Sequence, residues 1–173
     1  MQGYVRVVRT ISQLCGFIAA GMIAAGVIVV CQMVILRYVF GQSTIWQTDF
    51  TTYCLIAATF VGSPYVLMTR GHVNVDVLPH YLGQKARRRL AFASSFVTIA
   101  FALTLAALTF NFWMEAWEQK WVSDTMWRAR LWIPYSSMPI GLTLLALQAV
   151  AELIQLVRRE TTPFGIPDAE HME

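Results

Sequence analysis

The sequence predicts an all-α integral membrane protein with four transmembrane helices, a short amphipathic surface helix between the second and third, and both termini in the cytoplasm. Three observations predict it. The 173-residue chain is 57% hydrophobic and 13% charged, with a mean hydropathy of +0.53. That apolar share is above, and that charged share below, those of an ordinary soluble domain. Four stretches reach the roughly 20 apolar residues needed to cross a hydrocarbon core of about 30 Å: Leu14 to Leu36, Trp46 to Met68, Leu90 to Trp113 and Leu131 to Leu156. The basic residues divide unevenly between the connections: nine of the thirteen fall in the N-terminal tail, the second connection and the C-terminal flank. Short flanks rich in Lys and Arg stay on the cytoplasmic side, which sets the orientation. The connections are too short to fold separately, so residues 1–160 form one membrane domain and 161–173 a polar tail expected to be disordered.

The first span follows Arg6 and Arg9, as a secretory signal would, with Ala19, Ala20, Ala24 and Ala25 as small residues for a cleavage site. Its apolar run exceeds the roughly 7 to 15 residues of a signal core, so an uncleaved helix is expected. Gly16, Ala20, Gly21, Ala24, Ala25 and Gly26 recur at three-to-five-residue spacings. They form either a face for close helix approach or the ordinary Gly and Ala content of a membrane helix. The second span carries Ala58 and Gly62, then Pro64. Proline has no N–H to offer the Phe60 carbonyl, so a kink or a weakened turn is expected there, its carbonyl satisfied by Ser63 or by a neighbouring helix.

Polar residues bracket this second span: Arg37, Ser43, Trp46 and Asp49 before it, Gly71, His72, Asn74 and Asp76 after it. Val73, Val75 and Val77 then alternate with polar residues as an extended strip, and Pro79 suits the first turn of a helix. Tyr81, Leu82, Lys85, Arg87, Arg88 and Arg89 read as a surface helix leading into the third span, its arginines suited to anionic lipid headgroups. Beyond the third span, Trp113, Trp117 and Trp121 recur every four residues and would share one face if the helix continues. With Trp127 and Trp132 they form either a lipid-anchoring belt or a docking face for a protein. The fourth span opens at Ile133, Pro134 and Tyr135, contains Gly141 and Gln148, and meets Glu152 near its end.

The chemistry that would make this chain an enzyme is missing from its sequence. His72, His80 and His171 all lie outside the spans, so no intramembrane pair is available to ligate haem. Cys15, Cys31 and Cys54 form no CxxC pair, which argues against a metal or disulfide framework. Phosphate-loop and dinucleotide glycine patterns are absent, so no cofactor is expected. The net charge of +3 follows from topology, and nucleic acid is not an expected partner. The middles of all four spans contain no Asp, Glu, Lys, Arg or His, whereas a self-sufficient ion-coupled carrier places such groups near the midplane. Two readings remain: a partner subunit of a transporter, or a membrane anchor or assembly subunit of a redox enzyme.

The run Arg37–Tyr38–Val39–Phe40–Gly41–Gln42–Ser43–Thr44–Ile45–Trp46–Gln47–Thr48–Asp49, an apolar helix, then Arg70–Gly71–His72–Val73–Asn74–Val75–Asp76 resemble the small membrane subunit (DctQ-like) of tripartite ATP-independent periplasmic (TRAP) transporters. Ile133–Pro134–Tyr135, Gly141 and Gln148 extend the resemblance, which covers about Arg6 to Arg159. The family's first bracket reads Trp, a small polar residue and two acidic residues. Here Thr48 replaces the first acid and only Asp49 is kept. The resemblance implies a multi-pass protein of the bacterial inner membrane and a division of labour. A large DctM-like subunit would hold solute and sodium sites and move by an elevator-type motion, and a periplasmic solute-binding protein would deliver an organic acid. This chain would act as scaffold. Arg37, Ser43, Trp46, Asp49, Gly71, His72, Asp76 and Pro134 are then candidates for the subunit interface or its support, with Asp49 and Arg37 either pairing or standing as independent interfacial charges. Trp113, Trp117, Trp121, Lys85, Arg87, Arg88 and Arg89 are candidates for contact with lipid or a partner.

Overall fold

A backbone inside a bilayer must satisfy its own polar groups, which confines spanning segments of this composition to helices. The computed structural model describes residues 2–69 and 84–158. Its elements are α1 (Gln2–Tyr38), α2 (Trp46–Met68), α3 (Gln84–Glu118), the single turn α4 (Trp132–Tyr135) and α5 (Ser137–Val157). Four helical segments are long and apolar enough to cross a membrane: Gly3–Tyr38, Trp46–Met68, Arg88–Glu118, and α4 with α5 across Trp132–Val157. Among the described residues no strand forms; Val122 and Arg130 make one isolated antiparallel bridge.

The described part of the expected surface helix proves continuous with the third span. Positions 85–89 are the first turns of α3, where the Arg88 guanidinium lies 5.7 Å from the centre of the Phe92 ring. The valine strip, Pro79, Tyr81 and Leu82 lie outside the described residues, as do Gly71, His72, Asp76 and the tail 161–173. The helices do not follow chain order in space. α1 packs along α2, α2 along α5, and α5 along α3, while α1 touches α5 more lightly. α2 and α5 therefore form the centre, and they run in the same direction.

The α1–α2 seam decides between the two meanings of the small residues in α1. A Cβ on Gly16 would overlap the Tyr65 ring, and one on Gly26 would meet Thr51 Cγ2 at 3.7 Å. Across the same seam, a Cβ on Gly62 would come within 3.0 Å of the Ala19 methyl. Gly21 has nothing within 4 Å, and Ala20 and Ala24 are exposed. Part of the glycine and alanine content is thus packing surface and part is not. The chain leaves α1 through Gly41, whose positive φ of 62° lets the Gln42 N–H reach back to the Leu36 carbonyl at 3.1 Å.

The α2–α5 contact centres on the proline. Pro64 is fully buried, and Ser63 Oγ donates to the Phe60 carbonyl at 2.8 Å, replacing the bond the proline cannot make. Gly141 of α5 lies against that same carbonyl, so closely that a Cβ would overlap it. Two polar contacts then tie α1 to α5: Ser12 Oγ donates to Gln148 Oε1 at 2.9 Å with both residues buried, and the Tyr4 hydroxyl donates to the Leu147 carbonyl at 3.2 Å.

Candidate functional site: the tryptophan-rich end

The α3–α4 connection, residues 119–131, is a compact hairpin. Ser123 N–H donates to the Ala129 carbonyl at 2.9 Å, Arg128 N–H to Thr125 at 3.0 Å, and Leu131 N–H to Trp121 at 3.0 Å. Lys120 and Arg128 hold positive φ angles of 51° and 47°, a conformation that non-glycine residues adopt at a cost and that a well-determined turn can sustain. Its geometry presents the Ser123 and Thr125 hydroxyls, 2.9 Å apart, toward the start of α2.

Asp49 sits in the first turn of α2, where a carboxylate suits the helix dipole. Its Oδ2 accepts from Ser123 Oγ at 2.9 Å and from Thr125 Oγ1 in a shorter bond. Of the two readings open from the sequence, the pairing with Arg37 is not the one the structure adopts. Arg37 is exposed at the end of α1, and among the described residues no ion pair joins it to Asp49. The carboxylate holds a loop far along the chain instead of the end of the neighbouring helix. The physical reason is geometric: Asp49 lies on the α2 face that carries Trp46 and Tyr53, whereas Thr48 and Thr51 lie toward α1.

Aromatic rings complete the attachment. Trp127 of the hairpin stacks on Tyr53 with centroids 6.3 Å apart and lies 6.4 Å from Trp46, which in turn makes an edge contact with Phe50 at 6.1 Å. On the α3 side, Trp117 meets Trp132 edge-on at 4.5 Å, and Trp113 Nε1 donates to the Trp132 carbonyl at 3.0 Å. Phe112 joins Trp121 at 5.5 Å and Tyr135 at 5.2 Å. The tryptophans at 113, 117 and 121 are therefore engaged within the chain, but α3 ends at Glu118, so Trp121 belongs to the hairpin and does not extend the helical face of the other two; Trp117 keeps 48% of its surface exposed. Pro134 is half-buried in α4, its carbonyl accepting from Ser137 Oγ at 2.6 Å; Ser43 is exposed between α1 and α2. Of the sequence candidates, the structure brings together Trp46 and Asp49 at one corner, and Trp113 and Trp117 at another.

Sequence reasoning did not single out Ser123, Thr125 or Gln47. A Ser-x-Thr pair in a polar loop carries no signal of its own, since its partner is set by tertiary placement. Gln47 is 4% exposed and its Oε1 has no hydrogen-bond partner, like the buried hydroxyls of Thr44 and Thr51. A mid-span scan passes over it because it stands at a helix end.

This corner lies within the part of the chain matched by a family model. The model describes the DctQ component of tripartite ATP-independent periplasmic transporters and matches residues 26–159. The chain belongs to this DctQ family. It is also similar to the C4-dicarboxylate TRAP transporter small permease protein DctQ of Vibrio cholerae serotype O1, with 24% identity over 145 residues. That match takes in 72% of this chain and 62% of the relative, so the chain spans less than two thirds of the relative's length. DctQ proteins are transporter components and not enzymes, and the four apolar helices accord with a multi-pass protein of the bacterial inner membrane. The redox-anchor reading is not favoured by these matches.

Proposed function

We propose that this DctQ-family chain is the non-catalytic, immobile small membrane subunit of a sodium-coupled importer of an organic acid. Its partners are a large DctM-like membrane subunit, a periplasmic solute-binding protein and the surrounding lipids. The observation that carries the reading is the absence of ionisable side chains from the middles of the spans, in a chain whose family supplies transporter components. Without such groups a helix bundle lacks the usual means of binding an ion or an anionic solute within the membrane. The solute and sodium sites then belong to the large subunit, and an organic acid is the class suggested by the Vibrio cholerae relative, which is named for C4-dicarboxylate transport. A moving domain needs a fixed frame, and this chain supplies helix surface for one. In this reading the tryptophan-rich end faces the periplasm and both termini face the cytoplasm.

Purification from native membranes tests the assignment. The expected result is recovery with a large multi-helix partner and no solute uptake by the small chain alone in vesicles. Uptake catalysed by the isolated chain would refute it.

A further inference from the structure

We infer that the first turns of α1, residues 2–14, lie obliquely in the membrane surface and bind anionic phospholipid headgroups through Arg6 and Arg9. Phe60 of α2 and Gly141 of α5 meet, and Tyr65 and Leu147 each lie about 8 Å further along these co-directional helices. Gly16 faces Tyr65, Ser12 bonds to Gln148, and Tyr4 bonds to Leu147. Residues spread over about 18 Å of α1 thus contact α2 and α5 at nearly one level. Even with the reach of a tyrosine ring, the start of α1 must run across the pair instead of continuing alongside it. Leu147 itself is about 15 Å short of the end of α5 at Val157, so this crossing segment does not project beyond the bundle.

The side chains sort accordingly. Val8, Ser12, Cys15 and Ala19 are buried against the neighbouring helices. Arg6, Arg9, Thr10 and Gln13 form an exposed polar stripe at helical spacing. Tyr4, Val7, Ile11, Leu14 and Ile18 form an exposed apolar stripe, 37% to 58% accessible, on a third side between the polar stripe and the buried face. A helix that turns one face to hydrocarbon and a basic face to water is the pattern of an interfacial segment. α1 contains no acidic residue, so its charge favours phosphate over a cationic partner. The segment continues directly into a spanning helix, which makes the bilayer its occupant. Nothing in this inference depends on the transport assignment.

The full-length chain is tested in vesicles of phosphatidylcholine alone or of an equal mixture with phosphatidylglycerol. With Cys15, Cys31 and Cys54 replaced by serine, a nitroxide is placed at Ile11→Cys or Gln13→Cys. The expected result is collision with oxygen at position 11 and with a water-soluble nickel chelate at position 13. Nickel access at both positions would mean a segment projecting into water, and access to neither reagent would mean a protein covers it; each overturns the inference. Phosphatidylglycerol spin-labelled near its headgroup should broaden the position-13 spectrum more than the matching phosphatidylcholine. That excess is expected to fall by about five-fold for each arginine removed in Arg6→Gln and Arg6→Gln/Arg9→Gln. An unchanged excess refutes the lipid contact. In the unlabelled wild-type chain, hydrogen exchange should slow at residues 2–14 on adding phosphatidylglycerol and lose that response in the double variant; equal exchange in both bilayers has the same refuting force.

Discussion

Asp49 shows how one side chain can hold two distant parts of a membrane protein. Hydrogen bonds to an ionised acceptor each contribute about 1.5–3 kcal/mol in favourable settings, and Asp49 is only half-buried, so the lower end of that range applies. Asp49→Ala is expected to lower the thermal midpoint in detergent and to accelerate proteolytic cleavage within residues 121–131. Arg37→Ala, an exposed site without a carboxylate among the described residues beside it, is expected to change stability by less than about 0.5 kcal/mol. Equal effects from both substitutions would restore the Arg37 pairing. The trace of this corner in the sequence was real but partial. Trp46 and Asp49 stand out as polar and aromatic residues at a span boundary, whereas the hydroxyls that receive the carboxylate depend on the shape of a loop that no periodicity encodes.

At the scale of the element, α2 turns on the replacement made for its proline. Ser63→Ala removes the hydroxyl that satisfies the Phe60 carbonyl, at a cost of about 0.6 to 1 kcal/mol. In a Pro64→Ala background the restored N–H takes over that acceptor, and the same Ser63→Ala change is expected to cost nothing. A double-mutant cycle by thermal unfolding reads the coupling directly, and additive effects would contradict it. Gly141→Ala is expected to be harsher, about 1–3 kcal/mol, because the group in its way is backbone and cannot rotate aside. The weakened turn at Pro64 and the role of Ser63 were legible because they follow from the covalent structure of proline. The start of α1 was not: hydropathy places the span at Leu14, and the helix begins at Gln2, because its first turns are amphipathic and fall below any apolar threshold. The third span likewise continues past Trp113 to Glu118, because Glu115 ends the apolar run without ending the helix.

For the whole molecule, the number of spans could be read from length and composition, but their neighbours could not. Lipid and helix interior are equally apolar, so a membrane helix does not announce its packed face by polarity. The arrangement α1, α2, α5, α3 emerges only from contacts such as Gly16 on Tyr65 and Gly141 on the Phe60 carbonyl. The buried Ser12–Gln148 bond closes α1 onto α5, and Ser12→Ala combined with Gln148→Leu is expected to show a coupling of about 0.6 kcal/mol in unfolding measurements. For the assembled transporter, Asp49→Ala is expected to reduce uptake while leaving the order of preference among competing solutes unchanged. A shifted preference would place the tryptophan-rich end in solute recognition and contradict the scaffold reading.

The position of α5 between α2 and α3 also sets a condition on biogenesis. During synthesis α2 and α3 enter the bilayer before α5 exists, yet the finished molecule has α5 lodged between them. An intermediate with three spans therefore lacks the helix against which α3 chiefly packs. Final assembly waits on the last described helix, whose Gly141 must seat against the Phe60 carbonyl before α3 gains its main helical neighbour.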